Sequence, residues 1–300
     1  MELFPVFIRL ARHFPGLGPG WLSVEVHNKK SCDISYSDYK FDLVKTLRGL
    51  GPFQTKNVAG MNNPWAPTLK KGKIMPLAMK VVSRDGDDSF SFTPETLVIA
   101  GWAGRDREAM EHHIQELEAI GVARPAQTPT YYRVSAARLT TDARMEASGE
   151  ASSGEVEPMI VVKDGKLYAG IGSDHTDREV ETYGVTVSKQ MCDKPVSDTL
   201  WPFEEVADHW DSLILRSYIW ENGDKVLYQE GAVSSLLDPR DTIAGYGDGT
   251  LPEGAVLFCG TMPAIGGIRT SPRFYAEIDD PVLNRRISFG YDIVPMPIAG

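Results

Sequence analysis

The sequence predicts an α+β fold in which β-sheet dominates. After the first third of the chain, short apolar runs alternate with turns rich in glycine, asparagine and aspartate. A helical period is clearest in one segment, "RDREAMEHHIQELEAIG". With 300 residues, 42% of them hydrophobic and 24% charged, the chain has enough apolar side chains for a sizeable core.

The first quarter of the chain has a different character. It contains "FPGLGPG", "AGMNNPWAP" and "KKGK", which are turn and breaker sequences without a sustained period. We therefore predict a loosely ordered or appended N-terminal extension over residues 1–78 and a catalytic-size domain over residues 79–300. This domain is expected to begin with a strand from Lys80 to Ser83, a turn at "RDGDD" and a second strand from Ser89 to Thr93.

The helix is predicted to follow the buried strand "ETLVIAGWAG". A glycine at position 121 suits the C-terminus of this helix. Its apolar residues recur at the spacing of one helix face: Ala109, Met110, Ile114, Leu117 and Ile120.

Two hairpins are predicted from turn chemistry. In "EVEPMIVVKDGKLYAGIG" the turn would be Asp164 and Gly165, and in "ENGDKVLYQEGAV" it would be Asn222 and Gly223, because these dipeptides suit type I′ turns. Between them, "PFEEVADHWDSLILRSYI" predicts helical turns followed by a strand from Leu213 to Trp220. The segments "PEGAVLFCGT" and "RFYAEID" predict the last strands.

The composition argues against several classes of protein. A net charge of −10 disfavours a nucleic-acid partner. The absence of an apolar run of 18 residues argues against a transmembrane helix, and the N-terminus lacks the basic region of a secretory signal. Cys32, Cys192 and Cys259 are far apart and form no CxxC pair, so neither a disulfide framework nor a zinc site is expected. A cytoplasmic protein fits these observations.

Acidic residues occupy positions of the first hairpin where apolar residues are expected. Glu155 and Glu157 are two apart on a strand and therefore project from the same face. If the hairpin closes, Asp174 comes beside them, and three carboxylates form an oxygen-rich site for Mg²⁺, with Mn²⁺ or Ca²⁺ as alternatives. A solvated strand face remains the other interpretation. His175 and Asp177 either orient the ligands or belong to an ordinary polar turn.

Two further features could carry chemistry. His113 and Glu116 are three residues apart on the predicted helix, so the glutamate could orient the imidazole to activate a water. Lys194 follows the acidic segment and could stabilise a developing oxyanion. Each could equally be a solvated surface residue.

Taken in order, these motifs resemble the fumarylacetoacetate hydrolase superfamily. The resemblance rests on "GRD…HIQE", "EVE", "SDHTDRE", Lys194, "EGAVLFCGTMPAIGG" and "DPVLNRR", and it covers about residues 95–290. Ser173 replaces the family's asparagine before the aspartate, and Asp177 replaces its alanine. The chain is therefore similar to an uncharacterised side branch of this superfamily.

The resemblance implies a mixed β-roll of the fumarylacetoacetate hydrolase type. A lid helix would carry His113 and Glu116. A divalent cation, with Mg²⁺ first, would be bound by Glu155, Glu157 and Asp174. The family also implies small-molecule oxo-acid substrates and a homodimer.

The resemblance also implies an activity, that of a metal-dependent hydrolase cleaving a C–C bond in a small 2-oxo or β-diketo acid. His113, held by Glu116, would activate water, and the metal with Lys194 would hold the enolate that leaves. Thr261 and Arg178 would bind the substrate. A decarboxylase or enol–keto isomerase of oxo acids on the same scaffold is one alternative, and a non-catalytic metal- or ligand-binding protein is another.

Overall fold

The computed structural model describes residues 22–24, 32–34, 74–119 and 124–299, and for four residues of one helix it describes the backbone alone. The chain divides into two units, residues 1–69 and 70–300. In the first unit, strands β1 (Leu22–Val24) and β2 (Cys32–Ile34) pair antiparallel. Residues 74–78 of the predicted extension are also described, and the last two belong to the strand Leu77–Val81. The other residues of the extension lie outside the described residues, so the division at residue 78 stays a prediction.

The second unit is dominated by strands, which confirms the sheet-rich class. Its larger sheet has eight strands in the order β4-β3-β14-β11-β10-β17-β5-β6. These strands are β3 (Leu77–Val81), β4 (Asp88–Phe92), β5 (Thr96–Gly101), β6 (Thr130–Val134), β10 (Val156–Lys163), β11 (Lys166–Ser173), β14 (Thr199–Pro202) and β17 (Ala255–Phe258).

A second sheet has five strands in the order β16-β15-β18-β19-β8. These strands are β8 (Arg144–Ser148), β15 (Ile214–Glu221), β16 (Asp224–Ala232), β18 (Arg273–Asp280) and β19 (Arg285–Met296). Two small pairs complete the strands: β7 (Leu139–Thr140) with β13 (Lys194–Pro195), and β9 (Ser152–Ser153) with β12 (Thr176–Asp177).

Among the described residues, helices are few and mostly short. They are α1 (Arg107–Ala119), α2 (Arg178–Glu181), α3 (Val185–Met191), α4 (Phe203–Val206) and α5 (Pro239–Ala244). Turns of 3-10 helix cover Ala136–Arg138, Ala207–Ser212 and Val233–Ser235. None of the described helices is long and apolar enough to cross a membrane.

The predicted hairpin turns are confirmed. Strands β10 and β11 pair antiparallel along their full length, and the turn residues Asp164 and Gly165 have φ angles of 53° and 70°. Asn222 and Gly223, between β15 and β16, have φ angles of 53° and 93°. Positive φ at both positions is what a type I′ turn requires, and Asn-Gly and Asp-Gly reach it with little strain.

Strand β10 lies at the centre of the larger sheet and is buried on both faces. Val156 and Ile160 belong to the core cluster that also contains residues of the five-stranded sheet. Met159 and Val161 point to the opposite face and a second core cluster. Because Glu157 shares the face of Met159, its carboxylate is directed into the protein rather than into solvent.

Some elements differ from the sequence-based expectation. Strand β3 begins and ends earlier than the predicted Lys80–Ser83. Of the segment from Ser173 to Asp177, predicted as a turn, Ser173 ends β11 and Thr176–Asp177 form β12. Helices α2 and α3 and the long strand β19 were not predicted. Helix α1 agrees with the predicted helix, although its proposed glycine end at residue 121 lies outside the described residues.

Candidate metal centre

Three carboxylates meet at one end of the β10–β11 hairpin. Glu155 directly precedes β10, Glu157 lies on it, and Asp174 directly follows β11. The register pairs Val156 with Ser173, and the amide of Asp174 donates to the carbonyl of Glu155 at 3.0 Å. As a result one carboxylate oxygen from each of the three acids lies within 4.8 Å of the others.

The three acids differ in burial. Asp174 is fully buried, Glu157 is 2% exposed, and the side chain of Glu155 is 19% exposed. Burial, followed by the charge of Asp174, raises the pKa of Glu157 well above its usual value. The carboxylate of Glu157 is fixed by the backbone amide of Gly260, which donates to its Oε2 at 2.7 Å.

Two lysines hold the carboxylate of Asp174 from different sides. Lys189 Nζ forms an ion pair with Oδ2 and lies 3.8 Å from Oε2 of Glu155. Lys194 Nζ lies 3.3 Å from Oδ1 and also donates to the carbonyl of His175. Burial opposes ionisation of Asp174, but the two ammonium groups hold its pKa below the usual value.

The two lysines have different access to the cleft. Lys189, on α3, lines the cleft, and its acidic neighbours outweigh burial and raise its pKa. Lys194 is fully buried, is not part of the cleft wall, and has a pKa that burial lowers. Both lysines therefore contact Asp174, but only Lys189, which the sequence interpretation missed, is among the described residues that line the cleft. No sequence period marked Lys189, because α3 has only seven residues, of which Ser188 and Lys189 are buried.

Arg178 forms an ion pair with the carboxylate of Glu155. Its guanidinium lies 3.1 Å from Oε1 of Glu155, donates to Ser153 Oγ at 2.7 Å and to Glu181 Oε2 at 2.9 Å. Arg178 is not among the residues that line the cleft. The arrangement fits a residue that orients Glu155 better than one that binds substrate.

His175 and Asp177 are also buried and are not among the residues that line the cleft. The hydroxyl of Tyr291 donates to Ser173 Oγ at 2.8 Å. The ring nitrogens Nδ1 and Nε2 of His175 form hydrogen bonds with the hydroxyls of Tyr291 and Ser152, each at 2.9 Å. Burial, with the charges of Lys194 and Arg178, lowers the pKa of His175 to about 3.

The carboxylate of Asp177 caps α2, since its Oδ1 accepts from the amide of Val180 at 2.9 Å. It therefore has a defined structural role at the start of that helix.

Gln229, which no sequence motif indicated, ties the acidic strand to the loop after β17. Its Oε1 accepts from the amide of Val156 at 3.0 Å. Its Nε2 donates to Thr261 Oγ1 at 2.9 Å and to the carbonyl of Met262 at 2.7 Å. Thr261 in turn donates to the carbonyl of Val156 at 2.8 Å and lines the cleft. The carboxylates and the Gly260–Thr261 loop are thus held together by one buried amide.

Two of the acids, Glu155 and Glu157, open into a cleft of about 730 Å³. Lys189 is among its polar lining residues, and Ala109 and Met110 of α1 contribute to its wall. His113 and Glu116 lie on α1 by their backbone, but their side chains lie outside the described part of the chain. Their predicted role as a water-activating pair therefore stays a prediction.

The donor set suits a hard divalent cation. All three candidate ligands are carboxylates, the ligand type that Mg²⁺, Mn²⁺ and Ca²⁺ prefer. Asp174 pairs with both lysines and Glu155 pairs with Arg178.

Comparison with known proteins gives a family and a fold. The family model described as "Protein of unknown function (DUF2848)" matches residues 100–291. A 2-keto-3-deoxy-D-arabinonate dehydratase complexed with magnesium and 2,5-dioxopentanoate has 14% identity and a TM-score of 0.50, over 93% of this chain and 96% of that one. Comparison with curated proteins gives no match.

Two other solved structures are similar. Yeast ynq8, a fumarylacetoacetate hydrolase family protein, has 16% identity and a TM-score of 0.47, over 69% of this chain and 96% of that one. A putative fumarylpyruvate hydrolase from Burkholderia cenocepacia has 16% identity and a TM-score of 0.49, over 77% of this chain and 100% of that one. The similarity to the dehydratase shows a shared fold.

Proposed function

Because this chain belongs to DUF2848, a family described as of unknown function, we propose from its own cleft that it is a metal-dependent enzyme acting on a small 2-oxo or β-diketo acid. The observation that carries the proposal is the convergence of three carboxylates within 4.8 Å, two of which, Glu155 and Glu157, line a substrate-sized cleft together with Lys189. The dehydratase of similar fold was solved with magnesium and a dioxo acid, which is the class of ligand proposed here.

Glu155, Glu157 and Asp174 would hold a divalent cation, with Mg²⁺ first and Mn²⁺ or Ca²⁺ as alternatives. When bound, the cation would polarise the adjacent oxygens of an oxo acid and offset negative charge that develops there. Gly260 and Gln229 keep the strand that carries these ligands in place, so the site is organised by the protein itself.

Lys189 would stabilise the negative charge of an enolate. Its ammonium lies on the cleft wall beside Asp174 and Glu155, and its raised pKa keeps it charged at neutral pH. Lys194 was predicted for this role from the sequence. We propose Lys189 instead, because it lines the cleft, and we assign Lys194 to holding Asp174.

For hydrolysis, His113 would take a proton from water, with Glu116 orienting its imidazole. The hydroxide would add to the distal carbonyl, the C–C bond would break, and its electron pair would pass to the departing enolate beside Lys189. Thr261 lies beside this position and would contact the substrate carboxylate. The homodimer and the cytoplasmic location also remain predictions.

A decarboxylase or enol–keto isomerase is the second candidate. It is favoured by Lys189, because an ammonium beside the carboxylates serves any reaction that passes through an enolate. Neither alternative needs a water-activating His113. Turnover that survives His113→Ala but is lost in Lys189→Met would favour the second candidate over the hydrolase.

The test of the metal and oxo-acid class is thermal unfolding of the full chain. We expect Mn²⁺ to raise the melting temperature and oxalate, a mimic of pyruvate enolate, to raise it further. Glu157→Gln should abolish both increases, and Glu204→Gln, at an exposed position, should retain them. If Mn²⁺ gives no increase in the wild type, the proposed function is wrong. If ligands bind but no oxo acid is converted, a non-catalytic binding protein is indicated.

A further inference from the structure

The cleft wall beyond the carboxylates is largely apolar. Trp102, Met110, Tyr132, Met262 and Ile268 all line it. The ring of Tyr132 packs closely over Gly101, where a Cβ atom would lie 2.6 Å from its Cε2, so its position is fixed by backbone contact. The ring centroid of Tyr132 is 5.8 Å from Nζ of Lys189. A ligand that extends away from Lys189 would therefore meet an aromatic surface.

Trp102 also has an unusual backbone. Its φ angle is 58°, in the left-handed region that a bulky side chain rarely adopts. Such strain persists only where the surrounding structure enforces it, and it concentrates at functional sites. It supports a role for this aromatic wall in ligand binding.

The cleft lacks a cation for a second carboxylate, as far as its described lining goes. Lys189 is the one Lys, Arg or His side chain among those lining residues, and it is engaged with Asp174 and close to Glu155. The lining also includes two further acids. Of these, Asp106 accepts from the amides of Glu108 and Ala109 at 3.0 Å each, and Glu181 is bound to Arg178.

Four arginines are adjacent in sequence to lining residues, and none of them lines the cleft. Arg107 is exposed in the first turn of α1, and Arg133 donates to the hydroxyl of Tyr246 at 2.8 Å. The other two are committed elsewhere. Arg105 forms two hydrogen bonds of 2.7 Å with Asp211 and one of 2.9 Å with the carbonyl of Leu236. Arg269 donates to Glu221 at 2.5 Å and to two backbone carbonyls. Neither guanidinium lines the cleft.

We propose that the cleft selects a mono-anionic oxo acid with an apolar or aromatic tail and rejects oxo dicarboxylates. This inference rests on the proposed function, which supplies the cation for the 2-oxo-carboxylate group. The tail would pack on Tyr132, Trp102 and Met110, where removal of apolar surface from water favours binding. A second carboxylate there would lose its hydration without gaining a counter-charge and would face Asp106 or Glu181.

The experiment measures ligand affinity for the Mn²⁺-loaded full chain by calorimetry. 2-Oxohexanoate and 2-oxoglutarate have similar length but differ in the charge of the tail, and 2-oxo-4-phenylbutanoate adds an aromatic ring. We expect 2-oxohexanoate to bind at least about tenfold more tightly than 2-oxoglutarate, and the phenyl ligand to bind at least as tightly as 2-oxohexanoate. Equal or tighter binding of 2-oxoglutarate would overturn the inference.

Oxalate separates this failure from failure of the proposed function. Oxalate has no tail, so binding of oxalate without a tail preference rejects the inference and leaves the proposed function standing. If oxalate also fails to bind the Mn²⁺-loaded chain, both the inference and the proposed function are wrong.

A pair of variants at Met110 tests the wall directly. Met110→Arg adds a cation on α1, and it should raise affinity for 2-oxoglutarate at least about tenfold and leave oxalate affinity unchanged. Met110→Gln removes apolar surface without adding charge, and it should weaken 2-oxohexanoate without improving 2-oxoglutarate. If Met110→Arg leaves 2-oxoglutarate binding unchanged while oxalate still binds, the tail does not reach this wall and the inference is wrong.

Discussion

The backbone amide of Gly260 donates a hydrogen bond of 2.7 Å to Oε2 of Glu157. This contact joins strand β10 to the loop that follows β17 and holds a carboxylate in a buried position that an isolated acid would avoid. Gly260 has a φ angle of 99°, and a Cβ atom there would lie 2.8 Å from that of Ala103. Glycine is therefore required for the amide to reach Glu157.

The first prediction concerns the stability of the metal-free protein. Glu157→Gln keeps an oxygen acceptor for Gly260 and removes one of three like charges. We expect its free energy of unfolding at pH 7.5 to be unchanged or raised by up to about 2 kcal/mol, because repulsion from Asp174 and the burial of charge are both relieved. Urea unfolding in the presence of a chelator would measure it.

Glu157→Leu is the matched control for this prediction. It also removes the charge, but it leaves the buried amide of Gly260 without a partner, so we expect it to lose about 1–3 kcal/mol relative to Glu157→Gln. If Glu157→Gln were instead less stable than the wild type by several kcal/mol, the carboxylates would not be repelling one another in the metal-free protein.

The second prediction distinguishes the two lysines. Lys189→Met should retain the Mn²⁺-induced increase in melting temperature and lose the further increase with oxalate, because only this ammonium faces the cleft. Lys194→Met should lower the free energy of unfolding by about 3 kcal/mol, because it removes a buried partner of Asp174 and of the carbonyl of His175. Loss of the oxalate response in a well-folded Lys194→Met, with the response intact in Lys189→Met, would reverse the assignment.

The sequence predicted the parts of this site that depend on local geometry. Glu155 and Glu157 are two residues apart on an extended segment, and Asp164 with Gly165 determines the turn that sets the register. Given that turn, Asp174 has to fall beside Glu155, since the hairpin contains no bulge. The two-residue period of a strand and the residues of the turn are therefore sufficient to predict that the three carboxylates lie together.

The residues that the sequence did not predict depend on non-local packing. Lys189 lies on a helix of seven residues, too short for a sustained amphipathic period, and it reaches Asp174 only after α3 has packed. Gln229 contacts Val156 across 73 residues. Lys194 was chosen because its place in the order of motifs matched that of the superfamily's lysine. Sequence order does not show that its side chain is buried.

The third prediction concerns Asp177, which was proposed either to orient the metal ligands or to belong to a turn. Because its carboxylate caps α2, Asp177→Ala should lower the free energy of unfolding by about 1 kcal/mol, and Asp177→Asn should largely retain it. Both variants should keep the full Mn²⁺-induced increase in melting temperature. A diminished increase in Asp177→Asn would mean that the charge of Asp177 contributes to cation binding.

The last prediction concerns Gly172, which lies opposite Glu157 in the hairpin. A Cβ atom at this position would lie 2.6 Å from Cε1 of Phe258 and 2.9 Å from Cγ1 of Val196, both in the second core cluster. We expect Gly172→Ala to lower the free energy of unfolding by about 1–3 kcal/mol through overpacking. Since relief of the clash would shift β11 against β10, the Mn²⁺-induced increase in melting temperature should also fall.

Gly104→Ala is the control for this substitution, because a Cβ atom there would meet no other atom within 4 Å. Its free energy of unfolding should stay within about 0.5 kcal/mol of the wild type. Equal losses in the two variants would mean that the effect does not come from the contact with Phe258, because the reduced flexibility of the unfolded chain raises stability in a Gly→Ala variant. A loss confined to Gly172→Ala, together with a weaker response to Mn²⁺, would show that the close approach of the two strands at Gly172 positions Glu157 for the cation.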